Sequence, residues 1–391
     1  MKRLLLVFGT RPEAIKMAPV ALELRGRSGE FETVLCSTWQ HRGMLDQTLA
    51  VFDLEPDIDL ELMAPRQTLA DLTARAVGAL DKVMTRVRPD LVVVQGDTTS
   101  AMAGALAAYY HRTPVTHVEA GLRTDDLYQP FPEEGNRRLI GTLAALHFAP
   151  TPSAAYRLQQ EGVPEGRVFV TGNTVIDALL RVRENSGYGA YLALSGGRRR
   201  VLVTMHRREN RGAALENTCC AILQLVDRNP DVEVVFPVHA SPYVREPVTR
   251  LLSGHARIIL TEPMGYQEFI LLMDSCHLIL TDSGGIQEEA PALGKPVLVM
   301  RDTTERPEAI SAGTARLVGT DLGRVLSMTE TLLHNEKAYQ AMASAKNPYG
   351  DGRAAERIVA ALRLHFGLLA ERPAPFVQQL TSSRRSTEGA A

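Results

Sequence analysis

The sequence predicts an α/β protein of two domains, each a parallel sheet covered by helices on both faces. Three observations carry this. Short apolar runs alternate with helical patterns along the chain, which is the pattern of parallel sheets with crossover helices. A Gly/Arg-rich stretch, "SGYGAYLALSGGRRR" from Ser186 to Arg200, interrupts the alternation once, and the alternation then restarts. The two halves also echo each other: "LVVVQGDTTSAMAGALAAYYHRTPVTHVEAG" and "LILTDSGGIQEEAPALGKPVLVM" both read strand, Asp, small polar residues, helix, Pro-Val strand.

The elements follow in order. "LLLVFG" is the first strand, with a helix near Lys16 to Leu24 behind it. "ETVLCS", "PDLVVVQGD", "PVTHVEAG", "ALHFAPT" and "RVFVTGN" complete the first half. "VLVTMH", "VEVVFPVH", "ARIILTEP", "LILTDSGG" and "KPVLVMRD" are the strands of the second. "NPYGDGRAAERIVAALRLHFGLL" closes the chain as a helix capped near Asp351, and the tail from Arg372 reads as poorly ordered. The expected division is residues 1–171, residues 172–352, a helix over 353–371 packing back on the first domain, and a tail over 372–391. Two such domains facing a central cleft would bind a ligand at the carboxyl ends of their strands.

Composition narrows the function. The 391 residues are 45% hydrophobic and 23% charged, with a net charge of -2, which is globular and gives no basic surface for nucleic acid. No run reaches the roughly 20 apolar residues of a membrane helix. "MKRLLLVFGTRPE" has only a short apolar part before Arg11 and Glu13, so it reads as a buried strand rather than a targeting segment. Cys36, Cys219, Cys220 and Cys276 show no CxxC spacing, so neither a metal knuckle nor a disulfide framework is indicated, and a reducing, cytoplasmic setting is expected.

The stretch "TDSGGIQEE" carries the most chemistry. It is neither a Walker A loop nor GxGxxG, so the usual nicotinamide fingerprint is missing. If Ser283 and Gly284 open a helix, their N–H groups face a phosphate, and Glu288 or Glu289 further in can accept bonds from a ribose diol. A plain helix start with solvated glutamates is the competing reading. "GTRPEAIK" places Arg11 and Lys16 after the first strand, and "MHRREN" places His206, Arg207 and Arg208 after a strand of the second half, both suited to an anion. Asp97, Glu119, Glu133 and Glu134 lie at strand ends or just before a helix, where capping and salt bridging compete with acid/base work.

These motifs resemble the non-hydrolysing UDP-N-acetylglucosamine 2-epimerases of bacteria. The matching segments are "GTRPEAIKMAP", "QHRGMLDQ", "VQGDTTSAMAGALAAY", "HVEAGLRT", "PFPEEGNRR", "TGNTVIDAL", "TMHRREN", "FPVHASPYVRE", "TDSGGIQEEAPALGKPVLVMRDTTERPEA" and "NPYGDG", running from Gly9 to Gly352. Arg11-Pro12-Glu13 points to the non-hydrolysing branch. Trp39 and Gly43 depart from the family pattern near a region that neighbours an allosteric substrate site in some members, which puts such regulation in doubt.

The resemblance implies a GT-B-type fold of two Rossmann-like domains. It implies that Asp97, Glu119 and Glu133 are catalytic acids. Arg11, His206, Ser283, Gly284 and Gly285 would contact the diphosphate and Glu289 the ribose, with His206 also in the catalytic set. Lys16, His239 and Arg306 match other active-site positions, and Arg207 joins the substrate-binding set. The expected activity is C2 epimerisation of a UDP-sugar by elimination and readdition of UDP, without cofactor or metal, in a homodimer serving cell-surface polysaccharide precursors. A related UDP-2-acetamido sugar as substrate, a glycosyltransferase on the same fold, and a nucleotide-sugar binder without catalysis remain the alternatives.

Overall fold

The computed structural model describes residues 1–38, 47–62, 64, 66–124, 126–185 and 197–377. The chain forms two compact units. The first comprises Met1–Tyr188, Gly265–Leu271 and Tyr349–Val377; the second comprises Gly189–Met264 and Leu272–Pro348. The first unit thus runs on past residue 171 to take in the helix Thr174–Asn185. Trp39, Gly43 and residues 186–196, which carry expectations from the sequence, lie outside the described residues.

The first unit contains seven parallel strands: β1 (Lys2–Phe8), β2 (Phe31–Ser37), β3 (Ile58–Asp59), β4 (Leu91–Gln95), β5 (Val115–Val118), β6 (Leu146–Ala149) and β7 (Val168–Val170), in the order β3-β2-β1-β4-β5-β6-β7. The second contains β8 (Arg199–Thr204), β9 (Val232–Pro237), β10 (Ile258–Thr261), β11 (Leu278–Thr281), β12 (Val297–Val299) and β13 (Ala315–Leu317), ordered β10-β9-β8-β11-β12-β13. Each sheet is Rossmann-like and reverses direction once, between β1 and β4 and between β8 and β11. Such switch points leave a crevice at the strands' carboxyl ends. The apolar runs named from the sequence are all strands. β3 and β13 were not expected, being edge strands of two and three residues, too short for a periodic signal.

Burial explains the unbroken apolar runs. All five residues of β4 are buried, because helices cover both faces of the sheet. On one face lies the helix Thr99–Tyr110, whose "AMAGALAA" brings the backbone close. A Cβ on Gly104 would stand 3.1 Å from Val94 Cγ1 and 3.3 Å from Val7 Cγ1. The second core gathers β8, β9 and β11 around Phe236, Val203 and Leu280, against the helices Ala213–Arg228 and Leu322–His334. Truncating a fully buried phenylalanine such as Phe236 would cost about 3–5 kcal/mol.

The C-terminal helix, Ala354–His365, packs on the first unit's helices Arg11–Arg25 and Thr174–Asn185. Its cap differs from expectation. Asp177 binds the N–H groups of Ala354 at 3.1 Å and Ala355 at 2.7 Å, whereas Asp351 is engaged by Arg357 and by the N–H of Arg353. The tail also needs correction over 372–377. Arg372 lies over the Phe169 ring at 4.1 Å and donates to Val168 O, while the N–H of Phe376 donates to Val170 O at 2.8 Å. These contacts cover the β7 edge, which would otherwise expose unpaired backbone groups.

Candidate active site

In the first unit the sequence-predicted groups cluster where β1, β4 and β5 end. The turn after β1 is tight: a Cβ on Gly9 would lie 2.1 Å from Ser100 Oγ. Thr10 then caps the helix Arg11–Arg25. Glu13, only 2% exposed, accepts from the N–H of Gly9 at 3.0 Å and from Thr98 Oγ1 at 2.6 Å. It therefore ties the turn after β1 to the turn after β4. Burial pushes its carboxyl up, against the hydrogen bonds from Thr98, Thr10 and Gly9.

Glu119 follows β5 directly and has a φ of 64°. A non-glycine residue held in that left-handed region costs roughly 1–3 kcal/mol, and such strain clusters at functional sites. Its carboxylate accepts from Lys16 Nζ at 2.7 Å on both oxygens, from Gln95 Nε2, and from Asn173 Nδ2 at 3.0 Å. Lys16 reaches it from the helix after β1, Gln95 from the last position of β4, and Asn173 from just beyond β7.

Asp97 lies two residues beyond β4. Arg137 donates to its carboxylate, and Asn136 Nδ2 donates to its backbone carbonyl at 2.9 Å. Burial pushes its carboxyl up; Arg137 opposes this and the charge of Glu119 adds to it. Glu133 opens the helix Glu133–Leu143, is half-buried, and takes part in none of the described hydrogen bonds or ion pairs. Its neighbour Glu134 is fully buried and structural, accepting from the N–H of Thr124 at 3.1 Å and from Arg138 Nε at 2.7 Å. The paired acids of "PFPEEG" thus differ in burial and in partners. Arg11, at the first position of its helix, is half-buried and also outside the described side-chain bonds.

In the second unit the organising residue is Asp282, at the end of β11, with 0% exposure. It accepts from the N–H groups of His206 and Arg207 at 3.1 and 3.0 Å and from Asn210 Nδ2 at 3.1 Å. His206 Nδ1 lies 3.2 Å from its other oxygen. Burial alone would raise its carboxyl, but the bonds from His206 and Arg207 outweigh that and hold it below the ordinary value. The contact places a proton on His206 Nδ1 and leaves Nε2 for a ligand. His239 stacks on His206 with centroids 6.1 Å apart, and its own Nδ1 accepts from the N–H of Ser241 at 3.1 Å.

The glycine turn differs in one respect from the sequence reading. The N–H of Ser283 is taken by Thr281 Oγ1 at 2.9 Å, so it does not face a ligand. Ser283 is the N-cap of a short helix, Gly284–Glu289, and the N–H groups of Gly284 and Gly285 form its first turn. The two acids also separate. Glu288 is 4% exposed and bound by Arg306 Nε, while Glu289 is half-buried with Oε2 3.9 Å from the Cβ position of Gly285. Arg306 is accordingly engaged with Glu288, and Arg207 donates to Glu305 at 2.6 Å. Arg301 donates to the other oxygen of Glu305, whose carboxyl is lowered to about 2, burial being outweighed by the backbone and by the bonds from Arg207 and Arg301.

Sequence reasoning assigned no role to Glu13, Gln95, Asn173 or Asp282. Asp282 had a signal, standing between a strand and Ser-Gly-Gly as Asp97 stands after β4. Among the described residues no group of three or more His, Cys, Asp or Glu is arranged to hold a metal ion. A cavity of about 910 Å³ is lined by Arg25, Asp53, Glu55, Asp57 and Asp59, none of which belongs to this set.

The family model described as UDP-N-acetylglucosamine 2-epimerase matches residues 23–363. The UDP-N-acetylglucosamine 2-epimerase of Escherichia coli K12 is 52% identical over 370 residues, covering 92% of this chain and 98% of its own. A Neisseria meningitidis UDP-GlcNAc 2-epimerase solved bound to UDP-GlcNAc superposes with a TM-score of 0.83 at 46% identity, covering 92% of this chain and 99% of that one. The Methanocaldococcus jannaschii UDP-GlcNAc 2-epimerase gives 0.81 at 33% identity, with 93% and 99% covered.

Proposed function

Because the chain belongs to the UDP-N-acetylglucosamine 2-epimerase family, we propose that it interconverts UDP-N-acetylglucosamine and UDP-N-acetylmannosamine. The observation that carries this is the cluster of Lys16, Asp97 and Glu119 at the ends of β1, β4 and β5. The hydrogen at C2 of the sugar is not next to a carbonyl, so direct deprotonation is unfavourable. Expelling UDP from C1 gives oxocarbenium-like character and makes that proton removable. A carboxylate takes the C2 proton, the C1–O bond breaks, and UDP leaves with the bonding pair. This produces a 2-acetamidoglycal with a C1–C2 double bond. Returning a proton to the opposite face of C2, with attack of UDP oxygen on C1, completes the inversion. Positioned acids and bases of this kind contribute about 10²–10⁴-fold.

The residues fit separate tasks. Asp97 and Glu119 differ in surroundings, one beside Arg137 and the other facing Lys16, Gln95 and Asn173, which suits a pair that exchanges a proton in opposite senses. Glu133 supplies a third, more accessible carboxylate. Oriented by Asp282, His206 carries a second proton on Nε2 and presents it to the diphosphate, with Arg11, Arg207, the Ser283 hydroxyl, Gly284 and Gly285 as further contacts, and it gives that proton to the leaving oxygen. Glu289 receives the ribose. Lys16, His239 and Arg306 complete the substrate-binding set, Lys16 and Arg306 by holding Glu119 and Glu288 in place.

The protein works in the cytoplasm as a homodimer, and its product feeds surface polysaccharide precursors. No described helix is long and apolar enough to cross a membrane. Tyr109, Tyr110 and Leu139 are exposed on the contacting helices Thr99–Tyr110 and Glu133–Leu143 and offer an apolar face for a second copy. Light scattering reads the mass directly, and a monomer at micromolar concentration would contradict it. The activity is tested by incubating the protein with UDP-N-acetylglucosamine alone and following the anomeric protons. A second UDP-sugar is expected without added nicotinamide or metal. No second sugar from folded protein would sink the reading.

A further inference from the structure

Asn173 is placed by bonds that have nothing to do with the reacting groups. Its N–H donates to Tyr349 O at 2.6 Å, fastening it to the returning C-terminal segment. Its Oδ1 accepts from the N–H of Val175 at 3.2 Å, capping the helix Thr174–Asn185. That bond settles the orientation of the amide. With Oδ1 committed as an acceptor, the other arm must be Nδ2, and it is this arm that lies 3.0 Å from Glu119 Oε1. Asn173 is 2% exposed, and the contact is buried.

Gln95 does the same from the other side. It ends β4, is 2% exposed, and its Nε2 donates to Glu119 Oε2. The carboxylate is thus gripped at Oε1 by an amide from beyond β7 and at Oε2 by an amide from β4, and Lys16 meets both oxygens. Lys16 has a flexible stem and rotatable donors, and as a point charge it follows the carboxylate wherever that turns. The two amides are planar and anchored to backbone, and so fix the carboxylate plane.

From this juxtaposition we propose that Asn173 and Gln95 are positioning residues that set the orientation of the Glu119 carboxylate for proton transfer. The proposal rests on the epimerase reading for its kinetic consequence, though not for the clamp itself. Geometry of this kind matters because a misplacement of about 1 Å can cost 10²-fold in rate. It also accounts for the φ of 64° at Glu119: the backbone conformation aims the side chain between β4 and the segment after β7, where both amides stand.

The test uses Asn173→Asp and Gln95→Met. Asp is as good a helix cap as Asn, so Asn173→Asp keeps the bond to Val175 and replaces only the donor arm with a carboxylate oxygen facing Glu119. Gln95→Met keeps volume and burial and removes the donor without adding charge. Both should retain the wild-type far-ultraviolet circular dichroism and lower kcat about 10²-fold, with KM for the UDP-sugar within about twofold. In Asn173→Asp the acid limb of the kcat profile should also move to higher pH, because two carboxylates then share one site; a purely structural role would not move it. Should Asn173→Asp fail to fold, Gln95→Met decides alone.

The clamp has a readout without turnover. The side-chain amide proton resonances of Asn173 and Gln95 should move when Glu119→Gln removes the charged acceptor. Folded variants with wild-type kcat, or amide resonances indifferent to Glu119→Gln, would overturn the proposal. A wild-type protein that makes no second sugar but shows the resonance shift would sink the epimerase reading and leave the clamp standing.

Discussion

Lys16 Nζ stands 2.7 Å from both carboxylate oxygens of Glu119, joining the helix after β1 to the end of β5 across 103 positions of sequence. The side chains are 19% and 6% exposed, so the pair is largely withdrawn from water. Breaking such a pair leaves a charge with less compensation, which is where most of the penalty arises. Lys16→Met should lower kcat by about 10²–10⁴-fold and lower the melting temperature. The double variant Lys16→Met, Glu119→Gln should recover part of the stability and none of the activity. A single variant as stable as wild type would show that Gln95 and Asn173 suffice to hold the charge.

Asp97 should reveal its burial through pH. Its carboxyl is raised above the ordinary 3.8, so the fold favours the protonated form. The linked stability is full below 3.8 and is lost as pH rises through the folded value. Asp97→Asn carries no charge and should therefore gain in melting temperature relative to wild type as pH rises from 3 to 7, while turnover falls about 10²–10⁴-fold. A gap that narrows over that range would show that Arg137 outweighs burial.

Asp282 should behave in the opposite sense. Its carboxyl is lowered, so its contribution is present above 3.8 and is lost as pH falls through the folded value. Asp282→Asn should be less stable than wild type at pH 7, and the difference should shrink below about pH 4. Calorimetry should find UDP affinity weakened about tenfold or more, since His206 loses the group that orients it. Unchanged affinity would remove His206 from the diphosphate.

Asp177 offers a test remote from the chemistry. It caps the C-terminal helix, and burial raises its carboxyl to about 6, against the bonds from Ala355 and Ala354. Stability linked to it is therefore lost as pH rises from 3.8 through 6. Thermal melts of Asp177→Asn should gain on wild type across that window and run parallel to it above. Asp177→Ala removes the cap and should cost about 1 kcal/mol. Parallel curves for Asp177→Asn at every pH would contradict the raised carboxyl.

Much of this was legible in the sequence, because parallel strands buried on both faces leave unbroken apolar runs such as "LVVVQ" and "VLVT". The acids Asp97 and Glu119 were visible as polar residues ending those runs. What surrounds them was not. Gln95 and Asn173 reach Glu119 from 24 and 54 positions away, and only the strand order brings β4, β5 and the end of β7 to one edge. The cap of the last helix was misplaced for the same reason: Asp351 is adjacent in sequence, but Asp177 comes from a packed neighbour 177 positions away. Ser283 looked ready for phosphate, but Thr281, the last residue of β11, takes its N–H. The tail after Arg372 has the composition of a loose end, yet its arginine and phenylalanine find an open sheet edge at β7.

The central claim is that the C1–O bond breaks in every cycle. Substrate carrying ¹⁸O in the bridge between the sugar and the β-phosphate tests it most directly, followed by phosphorus NMR during epimerisation in D₂O. Elimination and readdition should move the label into the non-bridging positions of the β-phosphate while C2 acquires deuterium. A route through oxidation at C3 would also exchange the C2 hydrogen, through an enol, and would leave the bridge oxygen in place. Deuterium at C2 with the label still wholly bridging, in an enzyme that epimerises at its normal rate and whose slow carboxylate variants leak no free UDP or 2-acetamidoglycal, would contradict the account.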